Sequence, residues 1–129
     1  MGIFDKAKDL LNEHNDKVDQ GIDKAADLIN QKVSYPLSGT AAAVPGVVVM
    51  RIDDTVGPNV DPALKGALVV FNSTGASVTQ QVQALTGANL SLSPIQAAGS
   101  DPVVKQTTWT ASTGAVSVPA RTVAVLVQK

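Results

Sequence analysis

The amino-acid sequence predicts a mainly β protein, an antiparallel β-sandwich of seven strands preceded by an N-terminal amphipathic α-helix. Three observations predict it. Beyond Gly46, short apolar or alternating runs recur with turn residues between them, the pattern of a sandwich. Residues 2–32 instead hold seven of the eleven acids and five of the ten basic residues, with no proline before Pro36. Between these regions, Pro36 and the small-residue run Ser38–Ala43 read as a linker, because proline drives Tyr35 out of the α region. The expected organisation is a helix over 1–32, a linker over 33–46 and a sandwich over 47–129.

Within residues 2–32, helical spacing puts Phe4, Leu11, Val18, Ile22, Ala25 and Ile29 on one face. Seven acids, from Asp5 to Asp27, gather on the opposite side, with lysines between. Several poor helix formers and the repelling series Asp19, Asp23, Asp27 leave this helix weak alone, so it needs a surface to lie on. His14 shares the apolar face. With no second His and no Cys nearby, it reads as a packing residue rather than a ligand.

The strands are expected at Val47–Ile52, Ala67–Asn72, Val78–Gln83, Leu90–Ile95, Val104–Trp109, Ala115–Val118 and Thr122–Val127. Asn72–Gly75, Thr86–Asn89 and Ser112–Gly114 supply turns, the last a tight hairpin. Besides the first strand, the two around Val69-Val70-Phe71 and Val123–Val127 are the most apolar and should lie centrally. Phe71 is the expected core anchor.

Hydrophobic residues at 44% against 16% charged argue for a packed core, and a net charge of -1 with no basic patch gives no reason to expect nucleic acid. No cysteine is present, so disulfides and thiolate metal sites are excluded. Charges interrupt the N-terminus where a signal peptide needs an apolar stretch, and the expectation is a cytoplasmic protein. At 129 residues the sequence is too short for a (β/α)8 barrel, which takes roughly 250.

Two resemblances follow from particular residues. The run Pro45-Gly46-Val47-Val48-Val49-Met50-Arg51-Ile52-Asp53-Asp54-Thr55-Val56-Gly57 resembles the opening of the C-terminal β-domain of pullulanase-type alpha-1,6-glucosidases, the debranching enzymes. The likeness continues through Leu68-Val69-Val70-Phe71-Asn72-Ser73-Thr74, Ile95-Gln96, Asp101-Pro102-Val103-Val104 and the ending Val118–Val125, and spans residues 33–128. It implies a non-catalytic sandwich that leans on a catalytic barrel, with the cleaving carboxylates in the barrel. The opening Met1-Gly2-Ile3-Phe4-Asp5-Lys6-Ala7-Lys8-Asp9-Leu10-Leu11, continued by Gly21-Ile22-Asp23-Lys24-Ala25-Ala26-Asp27, is similar to the start of small actinobacterial antitoxin-like proteins over residues 1–32. The two resemblances meet at Ala26–Pro36.

Glycoside hydrolysis needs two carboxyl groups facing across a cleft, whereas the close acids of the β-region, Asp53 and Asp54, are chain neighbours that should point apart. Loop hydrogen bonding is their ordinary reading. A calcium ion shared by Asp53, Asp54 and Asp61 is the alternative, although the spacing matches no EF-hand. Neither a nucleophile with an oriented base nor a phosphate-binding glycine pattern is present, so no enzyme activity and no cofactor is expected. Trp109 is the one candidate sugar platform, with core packing the alternative.

The leading functional expectation is a non-catalytic structural or interaction protein, a debranching-enzyme C-terminal sandwich joined to an antitoxin-like helix by gene fusion, recombination or engineering. One alternative is an antitoxin-type regulator that binds a protein partner through the helix face Phe4, Leu11, Val18, Ile22 and Ile29. A second is an accessory domain for alpha-glucan, favoured only by the enzyme resemblance. Membrane attachment is disfavoured by the acidic helix and its lack of tryptophan. A sandwich without its barrel would expose apolar surface, so the helix is expected either to fold back on it or to pair between two chains, with Pro36–Ala43 as hinge.

Overall fold

The computed structural model describes Asp27 and residues 31–129. Of the expected helix, Asp27, Gln31 and Lys32 are described and are helical; its apolar face and His14 lie outside the described residues. The chain divides into two units, Met1–Gln31 and Lys32–Lys129.

The second unit contains eight strands: β1 (Val33–Ser34), β2 (Val47–Asp53), β3 (Gly66–Asn72), β4 (Val78–Gln81), β5 (Leu90–Leu92), β6 (Thr108–Thr110), β7 (Ala115–Val118) and β8 (Thr122–Gln128). All pairings are antiparallel. They build a five-stranded sheet in the order β1-β2-β3-β8-β5 and a three-stranded sheet in the order β4-β7-β6. The two apolar runs expected at the centre are there, β3 and β8 lying between neighbours on both sides.

Alternation along each strand decides what is buried. Val49, Leu68, Val70, Ala124 and Leu126 from the larger sheet meet Val116 and Val118 from the smaller one, with Val82, Leu85 and Val104 closing the core from the connections. Phe71 is not part of this core. It lies between the inward-pointing Val70 and Asn72 and is 39% exposed, so its parity turns it outward. The inward position at the end of β3 belongs to Asn72, which is 2% exposed. Its Nδ2 donates to the carbonyls of Ala76 (2.9 Å) and Pro119 (2.8 Å), and its Oδ1 accepts from the backbone N–H (3.0 Å) and hydroxyl (2.7 Å) of Thr74. One amide thereby ties together two of the four links between the sheets, β3 to β4 and β7 to β8.

Three strands are shorter than expected. Pro94 offers no N–H to a ladder, so β5 stops at Leu92 and a short helix α1 (Pro94–Ala98) follows. Gln96 on α1 then stands in for the missing strand: Nε2 donates to Val123 O (3.0 Å), and Oε1 accepts from Val125 N–H (2.8 Å). The run at Val104 is a 3-10 turn, Val104–Gln106, launched by the Asp101 carboxylate accepting from Val103 N–H (2.8 Å), and strand structure begins only at Thr108. Beyond β4, Val82 donates to Gly114 O (2.7 Å) and the chain turns through Gln83–Leu85. Gly114 closes the expected hairpin at φ 68°, a left-handed conformation that suits glycine.

Val33–Ser34, expected in the linker, pair with Arg51–Ile52 as an edge strand. The following segment is a series of turns in which Ser38, Thr40 and Ala43 donate to the carbonyls of Tyr35, Leu37 and Thr40, and Leu37 packs on the core.

Candidate interaction surface

The registers place residues from successive strands side by side. On the inner face these are core side chains; on the outer face of the five-stranded sheet, Val48 of β2 lies opposite Phe71 of β3, and Phe71 lies opposite Val123 of β8. Their exposures are 47%, 39% and 47%. Met50, Val69 and Val125 form the next row, so neither row carries a charge or a hydroxyl. Tyr35, held out from the end of β1 by Pro36, is 52% exposed and lines an open groove with Val48, Met50, Phe71 and Ser73. Arg121 lines the next groove along with Phe71 and Val123.

The outer face of the three-stranded sheet is the reverse. Thr79, Ser117 and Thr108 form its matching row, and the Thr79 and Ser117 hydroxyls lie 3.2 Å apart. Polar residues toward water are what a half-buried antiparallel sheet normally shows. The larger sheet departs from that pattern along a row that crosses three strands.

The acids occupy a different end of the molecule. Asp54 is buried and its carboxylate accepts from the backbone N–H of Asp61 (2.8 Å) and Val60 (2.9 Å) and from the Lys32 ammonium (2.8 Å), which also donates to Pro58 O (2.9 Å). The Asp61 N–H, then the Lys32 bond, then the Val60 N–H hold its pKa down at about 2. Asp53, its neighbour, accepts from the Thr55 hydroxyl and N–H and from Arg51 Nη2 (3.0 Å), and the Thr55 hydroxyl leads in lowering its pKa. Asp61 turns its carboxylate to the N–H of Ala63 (2.9 Å). The three carboxylates are thus each engaged with their own loop, and donors rather than a shared cation fill the space around Asp54. Among the described residues, no group of three or more His, Cys, Asp or Glu side chains could hold a metal ion.

Trp109 faces inward from β6, opposite Val116, with its Nε1–H donating to Ala88 O (3.0 Å) and its ring packed on the core. Among the described residues, the exposed rings are Tyr35 and Phe71. Sequence reading missed this because the runs Val47–Met50 and Leu68–Phe71 are apolar on both parities. The one signal that fixes the parity is Asn72: a polar residue ending such a run, two places from Val70, marks an inward position only once its partners are known. Phe4, Leu11, Val18, Ile22 and Ile29 lie outside the described residues.

Comparison with known proteins gives the fold its relatives. The family model for alpha-1,6-glucosidases, pullulanase-type, C-terminal, matches residues 23–129. A model for MT0933-like antitoxin protein matches residues 4–34, so the two overlap over residues 23–34. Pullulanase 1, chloroplastic, of Arabidopsis thaliana is 30% identical over 105 residues, covering 78% of this chain and 11% of that protein. Among solved structures, apo pullulanase from Klebsiella pneumoniae superposes with a TM-score of 0.63 at 33% identity, covering 76% of this chain and 11% of that one. PulA from Klebsiella oxytoca gives 0.62 at 31% identity, covering 76% and 9%. The chain thus spans about a tenth of the length of these relatives. With a family match over most of its length and a shared sandwich, the chain belongs to the pullulanase-type alpha-1,6-glucosidase C-terminal domain family.

Proposed function

We propose that this protein is a non-catalytic structural or interaction protein, a pullulanase-type C-terminal sandwich that works by binding another polypeptide. The observation that carries this reading is the outer row Val48–Phe71–Val123, an uncharged apolar surface on a domain whose other outer face is polar. The state of the acids supports the non-catalytic part. Hydrolysis of a glycosidic bond uses one carboxyl group as acid and a second as nucleophile or base across the bond, and Asp53 and Asp54 are instead bound within their own loops. Pullulan incubated with the full chain should release no reducing ends; steady release, lost on Asp54→Asn, would refute this.

The match of residues 4–34 to an antitoxin family favours a second reading, a regulator that engages a partner through the apolar stripe of its N-terminal segment. A partner retained by the full chain and lost on Leu11→Asp with Ile22→Asp supports it. Unchanged retention counts against it. An alpha-glucan reading rests on the exposed Tyr35 and Phe71 rings, which line one groove. Electrophoresis through a pullulan-containing gel decides it, since unretarded migration removes that reading.

A further inference from the structure

We infer that the cleft between β2 and β4, beneath the turns of residues 35–43, binds one ring of a neutral polyol, a pyranose or a cyclitol. The inference goes beyond the readings above and does not depend on the outer row.

It starts from a residue that packing does not explain. Alternation along the smaller sheet points Val78 and Gln80 of β4 inward together with Val116 and Val118 of β7, and Gln80 lies opposite Val116. Of these four inward positions Gln80 alone is polar, and it is 6% exposed. Its Nε2 donates to Thr79 O (3.2 Å), whereas its Oε1 has no donor among the described residues. An amide buried in this way costs free energy that an aliphatic side chain would not. It lines a cleft of about 160 Å³.

The β2 wall of the cleft supplies a second unpaired group. Asp54 N–H donates to Lys65 O and Ser73 N–H to Gly46 O, so the even-numbered residues of β2 turn their backbone polar groups toward β3 and the odd-numbered ones toward β1. On the β1 side Arg51 meets Ser34, and the Val47 N–H donates to Val44 O (3.0 Å). Continuing the β1 register brings Pro36 opposite Val49, and proline has no N–H to donate. Val49, 5% exposed, is thereby left without a backbone partner for its N–H and carbonyl on that side among the described residues. Val49 lines the same cleft as Gln80.

Size and lining select the ligand. A cavity of about 150 Å³ holds one benzene ring, so this cleft has room for a single six-membered ring. No acidic or basic side chain lines it, which disfavours an ion or a charged ligand. Leu37, Val47 and Ala43 make part of its wall apolar. A ring with hydroxyls at its rim and C–H bonds on its faces meets both kinds of wall. Its hydroxyls can donate to Gln80 Oε1 and the Val49 carbonyl and accept from the Val49 N–H, with a ring face against Leu37 and Val47. A hydrocarbon ring would leave those polar groups unpaired.

The test titrates the isotope-labelled full chain with D-glucose and follows the Gln80 side-chain amide and the Val49 backbone amide by two-dimensional NMR. Both signals should shift saturably, with a dissociation constant on the order of 1 mM. Gln80→Leu, its folding checked by far-UV circular dichroism, should raise that constant about tenfold or more. Cyclohexanol, which lacks the rim of hydroxyls, and glucuronate, which adds a charge, should each bind about tenfold more weakly than glucose or worse. The absence of a saturable shift at both residues means that the cleft takes water alone and overturns the inference. Cyclohexanol or glucuronate binding as tightly as glucose overturns it as well, and so does unchanged glucose binding by Gln80→Leu. If Gln80→Leu does not fold, Gln80→Met makes the same comparison with a longer apolar side chain. Shifts confined to Phe71 and Val123 would overturn this site and leave the glucan reading of the outer groove standing, so the two fail separately.

Discussion

The two outer faces of this sandwich are built on the same geometry and have opposite chemistry. Across the three-stranded sheet the row reads Thr79, Ser117, Thr108; across the five-stranded sheet it reads Val48, Phe71, Val123. Both sheets bury their inner faces in one core, so core packing does not explain the difference. A sheet face that meets only water gains nothing from valine and phenylalanine and risks association. The difference teaches that the smaller sheet is finished for solvent, whereas the larger one carries an apolar row that contact with water does not account for.

The comparison can first be broken at the core that both sheets share. Leu68, fully buried at the centre of β3, contacts the shared interior, and Leu68→Ala should cost about 2–5 kcal/mol of unfolding free energy through lost burial and the cavity left behind. Chemical denaturation measures it. A cost below ~1 kcal/mol would mean the two inner faces are not tightly packed, and the contrast between outer faces would lose its foundation.

Asn72→Ala comes next. The substitution strips the donors from the Ala76 and Pro119 carbonyls and the acceptor from Thr74, at the point where two of the four links between the sheets converge. Leaving the buried Pro119 carbonyl unpaired should cost about 1–3 kcal/mol. Asn72→Asp should do no better, since a carboxylate would face the same carbonyls. Equal stability of either variant with the natural protein would show that the sheets are held together by apolar contact alone.

The acid end of the molecule sharpens the comparison in another way, because its stability depends on pH where the apolar face does not. The pKa of Asp54 falls from an ordinary 3.8 to about 2 in the folded protein, so as pH drops the unfolded chain takes up the proton first. The stabilisation is complete above about pH 4 and is lost as pH falls toward 2, with Asp53 acting in the same direction. Denaturation midpoints should therefore decline over that window, and Asp54→Asn should start lower and decline less. Parallel profiles for the two proteins would remove Asp54 as the source.

Much of this fold is legible in the sequence, and where it is not the reason is physical. The hairpin at Ser112–Gly114 and the central places of β3 and β8 follow from turn residues and apolar content. The end of β5 and the 3-10 turn at Val104 do not, since they are decided by Pro94 and by the Asp101 side chain rather than by the spacing of apolar residues. Period-two alternation identifies the inner face only where one parity is polar. In Val78-Thr79-Gln80-Gln81 and Ala115-Val116-Ser117-Val118 polar residues on one parity show which side meets water; in Leu68–Phe71 and Val123–Val127 nothing does. The same property that hides the inner face, apolar residues on both sides, is what makes the outer face a candidate site.

Phe71→Ala carries the smallest expected effect and tests the comparison most directly. Phenylalanine is larger than leucine, and judged by apolar content alone Phe71 should be the costlier of the two β3 residues to truncate. Its side chain points outward and is 39% exposed, whereas Leu68 is 0% exposed. Much of the Phe71 surface is in water before and after truncation, and no closed cavity forms beneath it, so the cost should be about 1 kcal/mol, well below that of Leu68→Ala. The measurement must be made at a protein concentration low enough to keep the chain monomeric, because any contact across the outer row would add its own free energy to the apparent stability of the natural protein. The expected inversion, a larger side chain with a smaller penalty, holds only if the two faces of the sheet differ as described. If Phe71→Ala under those conditions destabilises the fold as much as Leu68→Ala does, the outer row is packed within the chain itself and is not a free surface.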